Sequence, residues 1–406
     1  VTSSTLVSGL DKIRHGWRHP SVLLTANTLV SGFFVGMIMV LVPLYMYANG
    51  YDVAEIGVVV AAQAVFQLAL RIIAGVLADR YGEQRVITAG YALMCISAVI
   101  FATSSNLWPM ILAQLFTGAS RAAYMPAAKS YASRIHEGNA AAHIGRTMGG
   151  ATLGSIAGPV VGGMLAVAIG FSGAFVVAVG VGVFGLIVSL LLPGLPRKQA
   201  QTMREAFARV PALARAKTTL LPGLIAFFVA SSIAAMFSVG VVLLRDADFS
   251  ETTVGVITGA YAVGGSVTGF AFAYILGKTG MRGAFALLFA AIGGGMVLLA
   301  LTEITAVWLL LAVIVGAGTG FGAALYGLIA ANNSLPQERG VAMSVAGLYW
   351  ASGMLIGPLA YGALADATSP ANAILTAGAF PVALALLTPV VFATLSPKPV
   401  PEPSVA

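Results

Sequence analysis

Twelve long apolar runs limit what this chain can become. They cover roughly residues 21–48, 54–78, 86–104, 107–133, 143–169, 171–193, 220–244, 252–277, 283–301, 305–331, 341–365 and 371–395. Each is long enough to cross a hydrocarbon layer of about 30 Å as a helix. Within lipid every backbone N–H and C=O must be satisfied inside the segment, so runs of this length are helices. The expected fold class is an all-α membrane protein with twelve transmembrane helices. Composition agrees, with 59% of residues hydrophobic and only 9% charged, far from a soluble domain.

The fifth run contains GRTMGGATLGSIAGPVVGG, in which Gly145, Gly154, Gly158, Pro159, Gly162 and Gly163 keep small residues on one side of a helix. Such a stripe lets a second backbone approach closely. In a soluble helix each glycine would cost about 1 kcal/mol relative to alanine. The pattern returns as Gly353, Gly357, Pro358 and Gly362, offset by 199 residues from Gly154, Gly158, Pro159 and Gly163. Ala54 to Val65 likewise matches Thr252 to Val263 at an offset of 198, and Trp108 matches Trp308 at 200. The chain therefore reads as two pseudo-symmetric six-helix halves, 21–193 and 220–395, as many transporters are built. Around them lie an N-terminal segment, 1–20, a basic linker, 194–219, and a proline-rich tail, 396–406, expected to be disordered. The N-terminal segment is either a short helix on the inner leaflet or a floppy tail.

Orientation follows from the cations. With a cytoplasmic N-terminus, seventeen of the 21 lysines and arginines fall on the cytoplasmic side, and the outside receives only Arg245. The positive-inside rule then places both termini in the cytoplasm of a bacterial-type inner membrane. It also accounts for the net charge of +7, so a nucleic-acid partner is not needed. Trp108 and Trp308 are expected at the outer interface, where aromatic belts form. The one cysteine, Cys95, lies within the third run and excludes an internal disulfide.

Between the second and third runs comes GVLADRYGEQR, with Gly75, Asp79, Arg80, Gly82 and Arg85. This loop resembles the signature of the major facilitator superfamily, and the Gly145 to Gly163 stretch resembles the fifth-helix motif of that superfamily's drug/proton antiporter-like exporters. The resemblance implies a major facilitator fold working by alternating access and export of small amphipathic compounds. It also implies protons as the coupling ion, and a loop that latches the halves together when the cavity faces outward. Glu83 and Gln84 stand where the family commonly has basic residues, and the second copy of the loop, LGKTGMRG, lacks the aspartate.

All fourteen carboxylates lie outside the runs or at their ends, so the membrane interior holds cations without acidic partners. Arg121, near the middle of the fourth run, shares a helical face with Gln114, Thr117 and Tyr124. A charge there costs at least about 2.5 kcal/mol and normally faces a cavity or the bundle interior. Family exporters commonly carry an arginine four residues before a glycine of this helix; here Gln114 stands at that place before Gly118. Arg71 continues a polar stripe with Gln63 and Gln67, and either faces the cavity or bonds backbone carbonyls of a packed neighbour. Lys129 lies nearer the cytoplasmic end, within snorkelling reach of it. Asn27, Tyr261, Tyr326, Asn332 and Trp350 complete the candidate substrate-binding set.

No metal or cofactor site is visible: His136 and His143 have no ligand partners of suitable spacing, and no phosphate-binding loop for ATP occurs. The chain is therefore expected not to be an enzyme but a secondary active transporter, a monomer in the lipid bilayer with a small-molecule substrate. Export of an amphipathic, anionic compound fits the buried arginines; uptake or exchange of an organic anion or phosphate ester, or lipid transport, are the alternatives.

Overall fold

The computed structural model describes residues 20–135, 140–195, 216–333 and 339–395; the N-terminal segment, most of the basic linker and the C-terminal tail lie outside them. The helices are α1 (Pro20–Ala48), α2 (Val53–Tyr81), α3 (Glu83–Thr103), α4 (Leu107–Arg134), α5 (Ala140–Leu190), α6 (Lys217–Phe237) and α7 (Val239–Asp246). They continue with α8 (Glu251–Leu299), α9 (Thr305–Asn332), α10 (Arg339–Ala367), α11 (Pro370–Leu386) and α12 (Thr388–Leu395).

Eight of these stretches are long and apolar enough to span a bilayer, or nine if α11 and α12, bent by 70°, form one span. The apolar parts of α5 and α8 are 46 and 49 residues long, about twice what one crossing needs. Each turns between two expected runs, at Gly170 (φ 74°) and Gly280 (φ 65°), in the left-handed region that glycine enters without penalty. α6 and α7 form one crossing broken at Ser238. α4, at 28 residues, is long enough to cross; Gln114, Arg121 and other polar residues lower its hydropathy. With both arms of α5 and α8 taken separately and α4 added, the helices fit the expected twelve-crossing arrangement.

Lipid offers no hydrophobic drive for helices to associate, so close packing of small residues supplies it. A Cβ on Gly154 would overlap the Leu29 carbonyl oxygen, one on Gly158 that of Phe33, and one on Gly32 that of Ala151, so α1 and α5 meet backbone to backbone. The second half repeats this, with Gly353 against the Phe227 carbonyl of α6. α4 meets α2 in the same way at Gly118 and the Gln63 carbonyl, and its repeat is Gly316 against Tyr261. Gly145, although part of the same sequence motif, faces open space.

One end of the bundle carries the turn around Gly82 with Arg80, Arg85 and Arg134; the other carries Asp52, Glu55, Asp246, Glu251, Glu303 and Asp366. They are called the basic and acidic ends below. Glu83 opens α3 at the basic end and is 1% exposed; its carboxylate accepts from Arg134 Nη1 at 2.7 Å and from Ser130 Oγ at 2.9 Å. A basic residue here would face Arg134 without a counter-charge, which explains the departure from the family's loop pattern. Truncating one partner of a buried pair costs about 3–5 kcal/mol. Glu83→Ala should therefore lower the melting temperature by several degrees, and a wild-type melting temperature would refute the clamp.

The two tryptophans of the repeat part company. Trp108 is 78% exposed, as an interface residue would be, whereas Trp308 is 1% exposed and donates from Nε1 to the Thr302 carbonyl at 2.8 Å. Trp308 is thus a packing residue and not part of an exposed belt.

Candidate substrate cavity

The close approach at Gly118 positions Arg121. With α4 pressed on α2, Arg121 Nη1 lies 3.4 Å from Gln63 Oε1, and the guanidinium lines a cavity of about 280 Å³ between the two halves. Tyr261, Thr319 and Trp350 from the second half face it, together with Thr152 and Ser155 from the glycine stretch of α5. Tyr261 exchanges a 2.6 Å hydrogen bond with Thr319 Oγ1 and sets its ring edge-on to Phe237.

Arg71 packs its guanidinium on α10 at Gly347, where an added Cβ would lie 2.7 Å from Arg71 Cζ. It stands close enough to Arg121, Lys129 and Tyr326 to interact electrostatically with all three. Lys129 is exposed. Among the described residues, the ion pairs are Arg134–Glu83 and Arg245–Glu251, and no carboxylate pairs with Arg71, Arg121 or Lys129. The Tyr326 and Trp350 rings lie beside each other with centroids 5.7 Å apart. Of these, Arg121 and Trp350 line the cavity; Arg71, Lys129 and Tyr326 stand outside its lining. Arg121 beside Trp350 and Tyr261 therefore makes the wall that attracts an anion bearing an apolar or ring-containing body, with Arg71 adding positive field.

Other predicted residues go elsewhere. Asn27 is fully buried inside the first half: its Nδ2 donates to the Gly185 carbonyl at 3.1 Å, and its Oδ1 accepts from Tyr124 at 2.9 Å. Tyr91 donates to the Asn27 carbonyl at 2.5 Å, so Asn27 and Tyr124 form a satisfied interhelical knot that does not line the cavity. Gln114 belongs to a separate void of about 10 Å³ with Gln63 and Thr117, where its Oε1 has no partner; the space suits about one water molecule. Gln67 is buried on α2. Asn332, the last residue of α9, is exposed and off the cavity. At the loop, Gly82 takes φ 96°, Arg80 stacks over Tyr81 at 5.5 Å, and Gly75 faces open space. Arg85 is exposed, and the Asp79 side chain lies outside the described residues.

Thr152, Ser155 and Thr319 were not singled out from sequence, since hydroxyls near glycines in an apolar run more often bond their own helix. Ser155 does so, to the Thr152 carbonyl at 2.8 Å, yet both residues also line the cavity.

A family model described as Major Facilitator Superfamily matches residues 24–244 and 220–406. Quinolone resistance protein NorA of Staphylococcus aureus is 27% identical over 165 residues, 40% of this chain and 42% of that protein. Multidrug resistance protein 2 of Bacillus subtilis is 28% identical over 148 residues, 36% of each chain. The chain thus spans under half the length of these relatives. The crystal structure of the nucleoside transporter NupG (D323A mutant) superposes with a TM-score of 0.82 at 14% identity, covering 92% of this chain and 100% of that one.

Proposed function

Because the chain belongs to the Major Facilitator Superfamily, we propose that it is a secondary transporter exporting a small amphipathic anion through the cavity at Arg121. The observation that carries the anionic reading is the cluster of Arg71, Arg121 and Lys129 without a described carboxylate partner. The aromatic neighbours Tyr261 and Trp350 supply a surface for the apolar part of the substrate. Two matched relatives are named for quinolone and multidrug resistance, which supports the outward direction. With the basic end cytoplasmic, as the positive-inside rule favours, the loop around Gly75, Asp79, Arg80, Gly82 and Arg85 acts as a latch between halves.

Apart from Glu55 at the very start of the second run, no carboxylate lies within the apolar runs to carry a coupling proton. The membrane potential itself drives the anion out, at about 2.3 kcal/mol per charge per 100 mV.

Thermal stability of the purified protein against amphipathic anions, cations and neutral compounds tests the site, since a ligand for the folded state raises the melting temperature. Anions should stabilise wild type and lose about tenfold or more in apparent affinity for Arg121→Ala, as expected when a charge-assisted contact is removed. Equal stabilisation of both proteins by cations or neutral drugs would overturn the anion site. In reconstituted vesicles, export should follow the imposed potential; dependence on a pH gradient alone refutes the driving force, and accumulation of the anion inside cells refutes the direction.

A further inference from the structure

Near the acidic end the halves meet along two seams made of repeated residues, and beside them the Tyr47 hydroxyl of α1 donates to Asp246 Oδ1 of α7 at 2.8 Å. Where α5 crosses α8, a Cβ on Gly163 would overlap the Glu251 carbonyl oxygen, and one on Gly255 would lie 2.5 Å from that of Pro159. Where α10 crosses α2, a Cβ on Gly57 would overlap the Pro358 carbonyl oxygen, and one on Gly362 would lie 2.9 Å from that of Val53. Pro159 and Pro358, Gly163 and Gly362, and Gly57 and Gly255 are equivalent positions in the internal repeat. Toward the basic end the contact on the α5–α8 side ends: Gly145 and Gly149 on α5, and Gly269 and Gly277 on α8, have nothing within 4 Å of an added Cβ. The cavity is therefore closed at the acidic end.

The seams differ in one respect. Asp366, in the last turn of α10, accepts hydrogen bonds from the first-turn amides of α2: Val53 N–H to Oδ1 at 2.9 Å and Ala54 N–H to Oδ2 at 3.0 Å. The residue 199 positions earlier is Val167, so the other seam has no acid at this place. There the first turn of α8 is capped inside its own half. Ser250 Oγ accepts from Thr253 N–H at 3.2 Å, and Glu251 pairs with Arg245 at 3.0 Å. The first turn of a helix presents unpaired N–H groups at the positive end of its dipole, and a carboxylate binds them through charge-assisted bonds. When such a cap comes from the opposite half, it exists only while the two halves are together.

We propose that Asp366 is the releasable lock of the gate at the acidic end. Its carboxylate, reaching from one half to the first turn of α2 in the other, holds the cavity shut on that side. Opening exchanges these two bonds for water at an exposed surface, so the lock favours closure without preventing release. Glycine contacts on both seams supply the shape of the closed gate; Asp366 supplies the electrostatic term on one of them.

The test places spin labels at Asn49→Cys and Thr368→Cys, exposed positions in opposite halves at this end, in a Cys95→Ser background. Inter-label distances are recorded without substrate, so the result is independent of which compound is carried and in which direction. The parent should be dominated by the short distance. Asp366→Ala and Asp366→Asn should raise the ratio of open to closed forms, by about tenfold for alanine and less for asparagine, which keeps one acceptor. Asp366→Glu should return part of the closed population. Melting temperatures report whether each variant is folded. If alanine fails to fold, the near-isosteric asparagine decides. A parent-like distance distribution in the folded charge-free variants overturns the lock.

Discussion

Gly154→Val is expected to abolish recovery of folded protein, whereas Gly145→Val, in the same motif, is expected to leave stability almost untouched. At Gly154 the new Cβ meets the Leu29 carbonyl oxygen and the Phe33 backbone nitrogen, neither of which has a rotamer to move into. α1 must retreat from α5, and with it go the matching contacts at Gly32 and Gly158. Overpacking in a close-packed core costs about 1–3 kcal/mol when side chains can shift; a clash with backbone should reach or exceed the top of that range. At Gly145 an added Cβ has nothing within 4 Å, and changes at such positions stay within about 0.5 kcal/mol. Gel filtration and thermal melting in detergent read both variants. Equal losses at the two positions would mean that the motif acts through helix flexibility and not through the α1–α5 contact.

Gly163→Val should separate folding from transport. Its Cβ overlaps the Glu251 carbonyl oxygen and comes within 3.2 Å of Gly255 Cα, atoms that belong to the opposite half. Each half keeps its own α1–α5 or α6–α10 packing, so the melting temperature should fall by only a few degrees. The seam at the acidic end, however, cannot close. A carrier that reaches only one of its two access states completes no cycle, and turnover should drop at least about a hundredfold, equivalent to a differential of some 2.7 kcal/mol against the closed form. Label pairs across α5 and α8 at this end should lengthen in the same variant. Retained turnover would show that the two halves slide past the obstruction, and the seam would then lose its assigned role.

Much of the architecture was legible in the amino-acid order. The breaks at Gly170 and Gly280 fall between expected runs, and the glycine and proline offsets between the halves reappear as paired crossings, such as Gly118 on Gln63 and Gly316 on Tyr261. The candidate site was legible only in part. Arg121, Tyr261 and Trp350 line the cavity, and Arg71 joins the cation cluster beside Tyr326. Asn27 and Tyr124 instead bind each other within the first half, and Gln114 sits at a separate small void. Each lies on a plausible polar face, yet which neighbour fills that face depends on helices distant in the chain. The contact between Asp366 and α2 joins positions more than 300 residues apart, and local spacing carries no trace of it.

What the sequence determined by itself is the helical form, the membrane-spanning length of the apolar runs, the internal repeat and the lack of carboxylates away from the ends of those runs. These follow from length and polarity, because lipid forces each run to satisfy its own backbone. The tertiary structure alone decided which face of each helix meets the cavity, a partner helix or lipid. In water, an apolar stripe marks the buried side of a helix. In a bilayer the lipid-facing side is apolar as well, so hydrophobic periodicity cannot tell outside from inside, and only packing against the other helices makes the distinction.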